Sequence, residues 1–182
     1  MLNSFVYSDG IDKAVTYQLR YRAWNINGPG PWSLTGYIMA AQAPSRPPVP
    51  TYLGSTATSI SLGFSPSSDD GGAIIETIIL QVSPYTSASW VDVITYSDNM
   101  MSHTLTTTSD PIIAYQKYRF RLKSVNSYGS SDWSPEIALS VAPLPSAPPL
   151  ALKNQQMSTT SSIMVIWTAP TGDTEVVTGY QL

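Results

Sequence analysis

Cysteine is absent from the 182-residue sequence, and its single histidine is His103. Without thiols the chain forms no disulfide, no zinc–thiolate site, no iron–sulfur cluster and no thiol nucleophile. The absence leaves the cellular compartment open, because an oxidising space permits disulfides without requiring them. The sequence therefore has few of the side chains that most often carry catalysis or bind metals.

Charged residues and long apolar runs are also scarce. Charged side chains make up 12% of the sequence and the formal net charge is −3, whereas a charged share of roughly 25% is usual. Because the net charge is negative, the chain has no excess of basic residues to neutralise a phosphate backbone, and we expect no nucleic-acid binding. Apolar runs such as 78–80 are far shorter than the ~20 residues that cross a bilayer. The first residues lack a basic region followed by an apolar core, so we expect neither a membrane span nor a signal peptide in this segment.

What the sequence has in abundance is proline, with 15 residues, together with serine and threonine. Clusters of Pro, Gly, Ser and Asp separate short runs in which apolar and polar residues alternate, as in 59–64 and 118–123. This period of two predicts antiparallel strands with one face exposed to water. About seven short strands in about 100 residues is typical of a β-sandwich, in which two sheets bury their apolar faces against each other.

An internal repeat runs through the chain. The segment 17–28 resembles the segment 118–129, and Trp32-Ser33 precedes Trp133-Ser134 by the same 101 residues. Such self-similarity at a fixed period indicates a repeat architecture.

The repeat sets the predicted domain boundaries. We expect a complete unit over residues 44–143. Residues 1–43 would be the C-terminal part of a preceding unit, with strands E to G. Residues 144–182 would be the N-terminal part of a following unit, with strands A to C.

The residues of each repeat resemble the fibronectin type III domain. A proline-rich entry leads to an aromatic residue that ends the second strand (Phe64, Trp167), and a tyrosine opens the sixth strand (Tyr17, Tyr118). An Asn-x-x-Gly turn and a Trp-Ser pair follow. The resemblance implies an all-β fold of tandem, immunoglobulin-like, seven-stranded antiparallel Greek-key sandwiches, one complete and two partial.

The same resemblance gives approximate strands and two departures. Strands A to G would fall near 46–53, 58–64, 75–83, 89–95, 101–106, 116–126 and 133–141. Gly63 stands where the family usually has a bulkier residue, and Ile78 stands where Tyr180 of the third unit is closer to the family pattern. We expect both to loosen the packing of the middle domain.

The two partial units carry a first candidate site. An isolated strand at 17–21 would expose its apolar face, and alternation places the matching apolar face of the other partial unit at 163–167. The candidate completion interface consists of Tyr17, Leu19, Tyr21, Ile163, Val165 and Trp167. In one account a second copy, placed head to tail, supplies the missing half. In the other, the sequence is a window on a longer covalent array.

A second set of candidates lies between the units, where proline-rich joints disfavour helix and hold an extended path. The joint residues are Pro44, Pro47, Pro48, Pro145, Pro148 and Pro149. Stiff joints fix the spacing between neighbouring domains better than Gly/Ser linkers would. They favour a spacer or a fibre over a flexible tether.

A third set combines cations with tryptophan, because alternation places basic side chains on the face opposite Tyr17 and Leu19. The candidate exposed ladder consists of Arg20, Arg22, Trp32, Arg121, Lys123 and Trp133. Stacking of guanidinium groups on indole rings is expected there. Such a ladder serves either to stabilise the domain or to bind a ligand, and the sequence leaves both open.

Other chemistry has little support in the sequence. His103 is flanked by hydroxyl residues and has no acid in its local sequence, as a general base would require. The run 69–72 (DDGG) could ligate calcium, but it lacks the EF-hand spacing and is common turn chemistry. No Arg-Gly-Asp tripeptide and no N-glycosylation sequon occurs, although the Ser/Thr-rich stretches 104–109 and 158–162 could carry O-linked sugars. We expect no catalytic residue, no metal and no cofactor.

These observations favour a non-enzymatic structural or adhesive repeat that builds an extended filament, at the cell surface or outside it. Its partners would be its own neighbours, either head-to-tail copies or adjacent repeats, with other surface proteins or glycans as further possibilities. Two alternatives remain. One is a spacer module of a secreted glycan-degrading enzyme, and the other is an intracellular cytoskeletal or ciliary scaffold repeat. Fold by itself does not choose among them.

Overall fold

A computed structural model describes residues 4–97, 101–154, 156–170, 177 and 179–181. This part of the chain contains strands and no helix, so it contains no helix that could cross a membrane. The strands are β1 (Thr16–Leu19), β2 (Trp24–Asn25), β3 (Gly28–Pro29), β4 (Gly36–Met39), β5 (Thr51–Ser55), β6 (Ser59–Gly63), β7 (Ile75–Pro84), β8 (Val91–Ser97), β9 (Ser102–Thr106), β10 (Lys117–Asn126), β11 (Gly129–Ser130), β12 (Ile137–Ser140), β13 (Leu152–Lys153) and β14 (Val165–Ile166).

Strands β5 to β12 form two antiparallel sheets. One sheet has the order β5-β6-β9, and the other has the order β11-β10-β7-β8 with β12 also paired to β10. The long strand β10 is therefore central, and it pairs with β7 from Tyr118 opposite Pro84 to Asn126 opposite Ile75. The preceding residues form the small sheet β1-β4 and the hairpin β2-β3, and the following residues form the sheet β13-β14.

The core lies between the two sheets and follows the predicted alternation. In β10 the side chains of Tyr118, Phe120 and Leu122 are buried while the residues between them are partly exposed. They pack in one cluster with Ile60 and Leu62 of the facing sheet. Burial of these apolar faces is the main favourable contribution to the stability of such a sandwich.

The first and last strands of the middle sandwich, β5 and β12, begin later than the sequence predicted. β5 begins at Thr51, because the preceding Pro47, Pro48 and Pro50 have no N–H to donate to a partner strand. The last strand is interrupted. Its early part binds β10 through serine hydroxyls, and regular pairing is resumed only at Ile137.

The expected looseness at Gly63 and Ile78 is wrong. A Cβ at Gly63 would lie 2.5 Å from Thr51 Oγ1 and 3.3 Å from a methyl of Leu53, so the neighbouring strand already fills that space. Leu53 reaches this position because the pairing of β5 with β6 shifts register between Tyr52 and Gly54. Ile78 is 5% exposed and belongs to the core.

The repeated Trp-Ser pair has one geometry in both units. Ser134 Oγ accepts a hydrogen bond from the Leu122 backbone N–H at 2.9 Å, and the Ser134 N–H donates to the Leu122 carbonyl at 2.7 Å. In the preceding unit Ser33 makes both bonds to Tyr21, at 3.0 and 2.8 Å. The serine thus holds its strand against the neighbouring one while the adjacent tryptophan lies over that strand's basic residues.

Replacing Ser134 with Ala tests this role. The Leu122 N–H is buried and would lose its acceptor, so we expect the free energy of unfolding to fall by about 1–3 kcal/mol. Urea unfolding provides the measurement, and faster hydrogen exchange at the Leu122 amide would locate the effect. Ser130 is exposed, and its replacement by Ala is the matched control. An equal loss in both variants would contradict the assigned hydrogen bond.

Candidate functional site

The outward face of β10 forms a surface that we call the cation–aromatic stripe. Its members are Lys117, Arg119, Arg121 and Lys123, together with the rings of Tyr85, Trp90 and Trp133. The Arg121 guanidinium lies 3.8 Å from the centre of the Trp90 ring and 4.4 Å from that of Trp133. Arg119 lies 5.1 Å from Trp90, and the Lys123 ammonium lies 4.7 Å from Trp133. Cations and rings therefore alternate along the strand.

Polar neighbours hold the two arginines in place. Arg121 donates two hydrogen bonds to Gln81 Oε1, at 2.9 and 2.8 Å, and Gln81 in turn donates to Asp92 at 2.7 Å. Arg119 donates to Glu136 at 3.1 Å and also to the Ser87 carbonyl. Burial lowers the pKa of Arg121, and the nearby Glu136 carboxylate partly offsets this effect.

The preceding unit has a related arrangement. Arg20 and Arg22 lie 4.7 and 4.5 Å from the centre of the Trp32 ring, and Arg22 also lies 5.3 Å from Trp24. The six ladder residues named from the sequence thus fall into two groups, one in each unit. Sequence reasoning missed Trp24, Lys117 and Arg119, although each lies on the same face of its strand by simple alternation. It also missed Tyr85 and Trp90, which precede β10 in the sequence and lie in the connection between β7 and β8, so that the pairing of strands brings them to β10.

Of the six residues named for the completion interface, three lie in two separate small sheets and three lie outside the strands. Tyr17 and Leu19 belong to β1, while Val165 belongs to β14. Leu19 is 47% exposed, Tyr21 80% and Ile163 72%. Trp167 is 39% exposed, and its ring contacts that of Tyr180 with 5.5 Å between the ring centres.

The apolar side of the β1-β4 sheet forms an open groove of about 460 Å³. It is lined by side chains that include Phe5, Tyr7, Ile11, Leu19 and Ile38. The Tyr17 hydroxyl accepts a hydrogen bond from the Asp12 N–H at 2.7 Å, as the Tyr118 hydroxyl does from the Ile113 N–H at 2.9 Å. A tyrosine that bonds back to the chain five residues earlier is a known corner of immunoglobulin-like sandwiches. Residues 5–40 therefore share this corner with residues 113–118 and expose an apolar face of the β1-β4 sheet.

The two proline-rich joints differ. Pro44 and Pro47 are buried and Pro48 is exposed, whereas Pro145, Pro148 and Pro149 are all exposed. Backbone hydrogen bonds tie the first joint to the loop between β6 and β7. The Gln42 N–H donates to the Gly71 carbonyl at 2.8 Å, and the Ser45 N–H donates to the Asp69 carbonyl at 2.8 Å.

Side chains strengthen the first joint. Asn126 Nδ2, at the end of β10, donates to the Gln42 carbonyl at 2.8 Å and to the Asp70 carbonyl at 2.7 Å. Lys13 of the preceding unit pairs with Asp69 and, at 3.0 Å, with Asp70. Sequence reasoning named the prolines of this joint but not Lys13 or Asn126, because nothing in the local sequence signals a contact over 56 residues.

The aspartates of the loop at 69–72 already have protein partners. Asp69 accepts a hydrogen bond from the Gly71 N–H at 2.7 Å, and Asp70 accepts one from the Gly72 N–H at 2.8 Å. The Lys13 ammonium contacts the same Oδ1 atom of each carboxylate. The described residues contain no group of three His, Cys, Asp or Glu side chains that could hold a metal ion.

The Lys13 pair makes the first joint sensitive to pH. The hydrogen bond from Lys13 lowers the pKa of Asp69. The pKa of Asp70 is lowered first by the hydrogen bond from the Gly72 N–H and second by that from Lys13. The hydrogen bond that the Lys13 ammonium donates to Asp69 raises the pKa of Lys13. The carboxylate contribution is therefore present above the usual carboxyl range and is lost as the pH falls through the lowered values. The ammonium contribution is present below the usual lysine range and is lost as the pH rises through the raised value.

We expect the joint to loosen at both limits, and also in high salt because the pair is exposed. The amide chemical shifts of Gly71 and Gly72, followed by NMR across the acid range, measure the acid limit. Lys13→Gln removes the pair without touching the backbone bonds, and it should abolish the salt dependence. Identical titrations of Gly71 and Gly72 in the parent and this variant would contradict the assignment.

His103 lies in β9, and the fold brings an acid near it although none stands beside it in the sequence. Its Nε2 atom is 3.9 Å from Asp110 Oδ1. Burial lowers the pKa of His103, against the raising effect of Asp110. The other Asp110 oxygen accepts hydrogen bonds from the Thr106 N–H and the Ser109 hydroxyl, at 2.8 and 2.9 Å, and so closes the loop after β9.

Comparison with known proteins identifies the fold. No family model matches the chain. Human protein sidekick-1 is 30% identical to it over 117 residues, and mouse protein sidekick-1 is 29% identical over the same length. In each case the match covers 63% of this chain and 5% of the relative, so the chain spans about one twentieth of the curated relatives it matches.

Among solved structures, domains A168–A170 of titin superpose with a TM-score of 0.51 at 18% identity, covering 61% of this chain and 37% of that chain. The architecture and this match define an all-β, immunoglobulin-like sandwich protein. More specifically, the fold is that of the fibronectin type III domain, and the resemblance that the sequence indicated is confirmed. The chain is a repeat module similar to parts of protein sidekick-1 and of titin.

Proposed function

We propose that this chain is part of a non-enzymatic structural or adhesive array whose consecutive sandwiches keep a fixed spacing. The observation that carries the proposal is the first joint. There the linker binds the loop at 69–72 through its backbone, and Asn126 and Lys13 add bonds from both sides. A linker held in this way transmits position and load from one unit to the next, as a filament or a spacer requires.

The incomplete units fit two forms of this array. In a covalent array, the chain before residue 1 supplies the strands that cover the groove of the β1-β4 sheet. In a self-assembled filament, residues 163–167 of a second copy cover it. The middle unit provides the template for either form, because Ile60 and Leu62 pack against Tyr118 and Phe120 at the equivalent positions of the repeat.

The denatured intact mass of the native protein distinguishes the two forms. A chain near 19.7 kDa that elutes as a long assembly under native conditions would support head-to-tail completion, whereas a much larger chain would support the covalent array. A small native particle of one chain would contradict both forms. Regular mass increments would reveal O-linked sugars and support a location at or outside the cell surface.

A further inference from the structure

The cation–aromatic stripe concentrates positive charge on an acidic protein. The chain has 9 basic residues against 12 acidic ones, yet Lys117, Arg119, Arg121 and Lys123 all lie on one face of β10. Alternate residues of a strand are about 7 Å apart, so these four cations form a straight row of roughly 20 Å. A row of like charges at this spacing repels itself and attracts a polyanion.

The rings keep the row in a fixed conformation. Trp90 lies between the two guanidinium groups, and Trp133 lies between Arg121 and Lys123. Tyr85 lies 4.3 Å from the Lys117 ammonium. Side chains that are already ordered lose less conformational entropy when a ligand binds. The stripe is therefore prepared for binding before the ligand arrives.

Internal partners leave part of this charge unneutralised. Arg119 pairs with Glu136, while the Arg121 donors that are bonded go to the neutral amide of Gln81. Within the described part of the chain, no carboxylate lies within ion-pair distance of Lys117 or Lys123. The two ends of the row thus remain available to an anion.

The position of the row restricts the class of ligand. β10 is a central strand with neighbours on both sides, so this surface offers side chains and no unpaired backbone groups for strand addition by a peptide. Single-stranded nucleic acids bind by stacking bases on exposed rings, but here guanidinium groups or ammonium groups already lie over the rings. A sulfated sugar chain needs neither unpaired backbone groups nor uncovered rings, since it carries closely spaced anionic groups and stays hydrated.

We propose that the cation–aromatic stripe is a binding site for a linear sulfated polysaccharide. The sulfate groups pair with Lys117 and Lys123 and with the remaining donors of Arg121. Arg20 and Arg22 of the preceding unit, with Trp24 and Trp32, repeat part of this surface. This inference goes beyond the proposed function, because it concerns an outward face of the sandwich and does not depend on how the units are joined.

The test uses the whole chain and a fluorescent heparin octasaccharide as the probe. Lys117→Gln combined with Lys123→Gln removes two cations without a carboxylate partner. Arg46→Gln combined with Lys153→Gln removes the same charge from exposed residues elsewhere. We expect the first pair to raise the Kd about tenfold, equivalent to about 1.4 kcal/mol. It should also reduce the salt dependence of log K, because two fewer cations release counterions from the polyanion.

The control pair should change the Kd by less than about twofold, compared with the tenfold change (about 1.4 kcal/mol) expected for the first pair. Equal weakening by both pairs would show attraction by overall charge only and would overturn the proposal. So would unchanged binding in the Lys117/Lys123 variant, or no binding in the parent. Tighter binding of polyglutamate or single-stranded DNA than of the octasaccharide would assign the surface to another class of ligand. Circular dichroism of each variant confirms that the sandwich is intact.

Discussion

Replacing Gly71 with Ala is expected to release the first joint while the sandwich stays folded. Gly71 has a φ of +77°, and a Cβ there would lie 2.2 Å from the Gln42 carbonyl oxygen and 2.7 Å from that of Ala43. The left-handed conformation alone costs about 1–2 kcal/mol for an L-residue. The clash adds to this cost, and it falls on the linker. The bond from the Gln42 N–H to the Gly71 carbonyl should therefore be lost.

The absence of cysteine makes the measurement simple, because spin labels can be placed at Leu34→Cys and Thr86→Cys without competing thiols. Both positions are exposed, one in each unit. Pulsed electron–electron double resonance between the two labels should give a narrow distance distribution in the parent and a broad one in Gly71→Ala. Gly10→Ala is the matched control, since it has a φ of +64° with no atom within 4 Å of the added Cβ. A distribution equally narrow in the Gly71 variant would contradict the role assigned to this contact.

Replacing Phe120 with Ala is expected to lower the free energy of unfolding of the middle sandwich by about 3–5 kcal/mol. Phe120 is fully buried in the core between the two sheets. Removal of its ring leaves a cavity that the paired strands around it cannot close. Urea unfolding followed by near-ultraviolet circular dichroism gives the change in free energy.

The internal repeat supplies the control for this experiment. Leu19 stands 101 residues before Phe120, at the equivalent position of the repeat, and is 47% exposed. In the 182-residue chain at low concentration, Leu19→Ala should change the stability of the middle sandwich by no more than about 0.5 kcal/mol. A loss as large as that of Phe120→Ala would contradict the exposure of this face. A loss that grows with protein concentration would show that a second copy covers it.

The strands and the core of the middle unit follow directly from the sequence, because alternation in residues such as Tyr118, Phe120 and Leu122 reports which face is buried. Both Trp-Ser pairs were visible as a repeated motif, although their hydrogen bonds to β10 and to Tyr21 were not. The role of Trp90 could not be predicted, since it depends on the register between neighbouring strands. Patterns within one strand identify its faces, and contacts between strands need the folded chain.

The contacts at the joints between units could not be predicted from the sequence either. The prolines marked both joints in the sequence, but the contacts of the first joint with Lys13, Asn126 and the loop at 69–72 were not visible there. The residue equivalent to Lys13 in the middle unit is Ala114, which stands four residues before Tyr118 as Lys13 stands four before Tyr17. The lysine that pairs with Asp69 and Asp70 is therefore not repeated in the middle unit.

The central claim is that the first joint fixes the preceding unit to the middle sandwich. Residual dipolar couplings of backbone amides in the weakly aligned 182-residue chain test it most directly. We predict that couplings from β1 and β4 and couplings from β5 to β12 fit a single alignment tensor with the same magnitude and orientation. Two different tensors, with the smaller magnitude for the preceding unit, would show independent motion across the joint and would contradict the account.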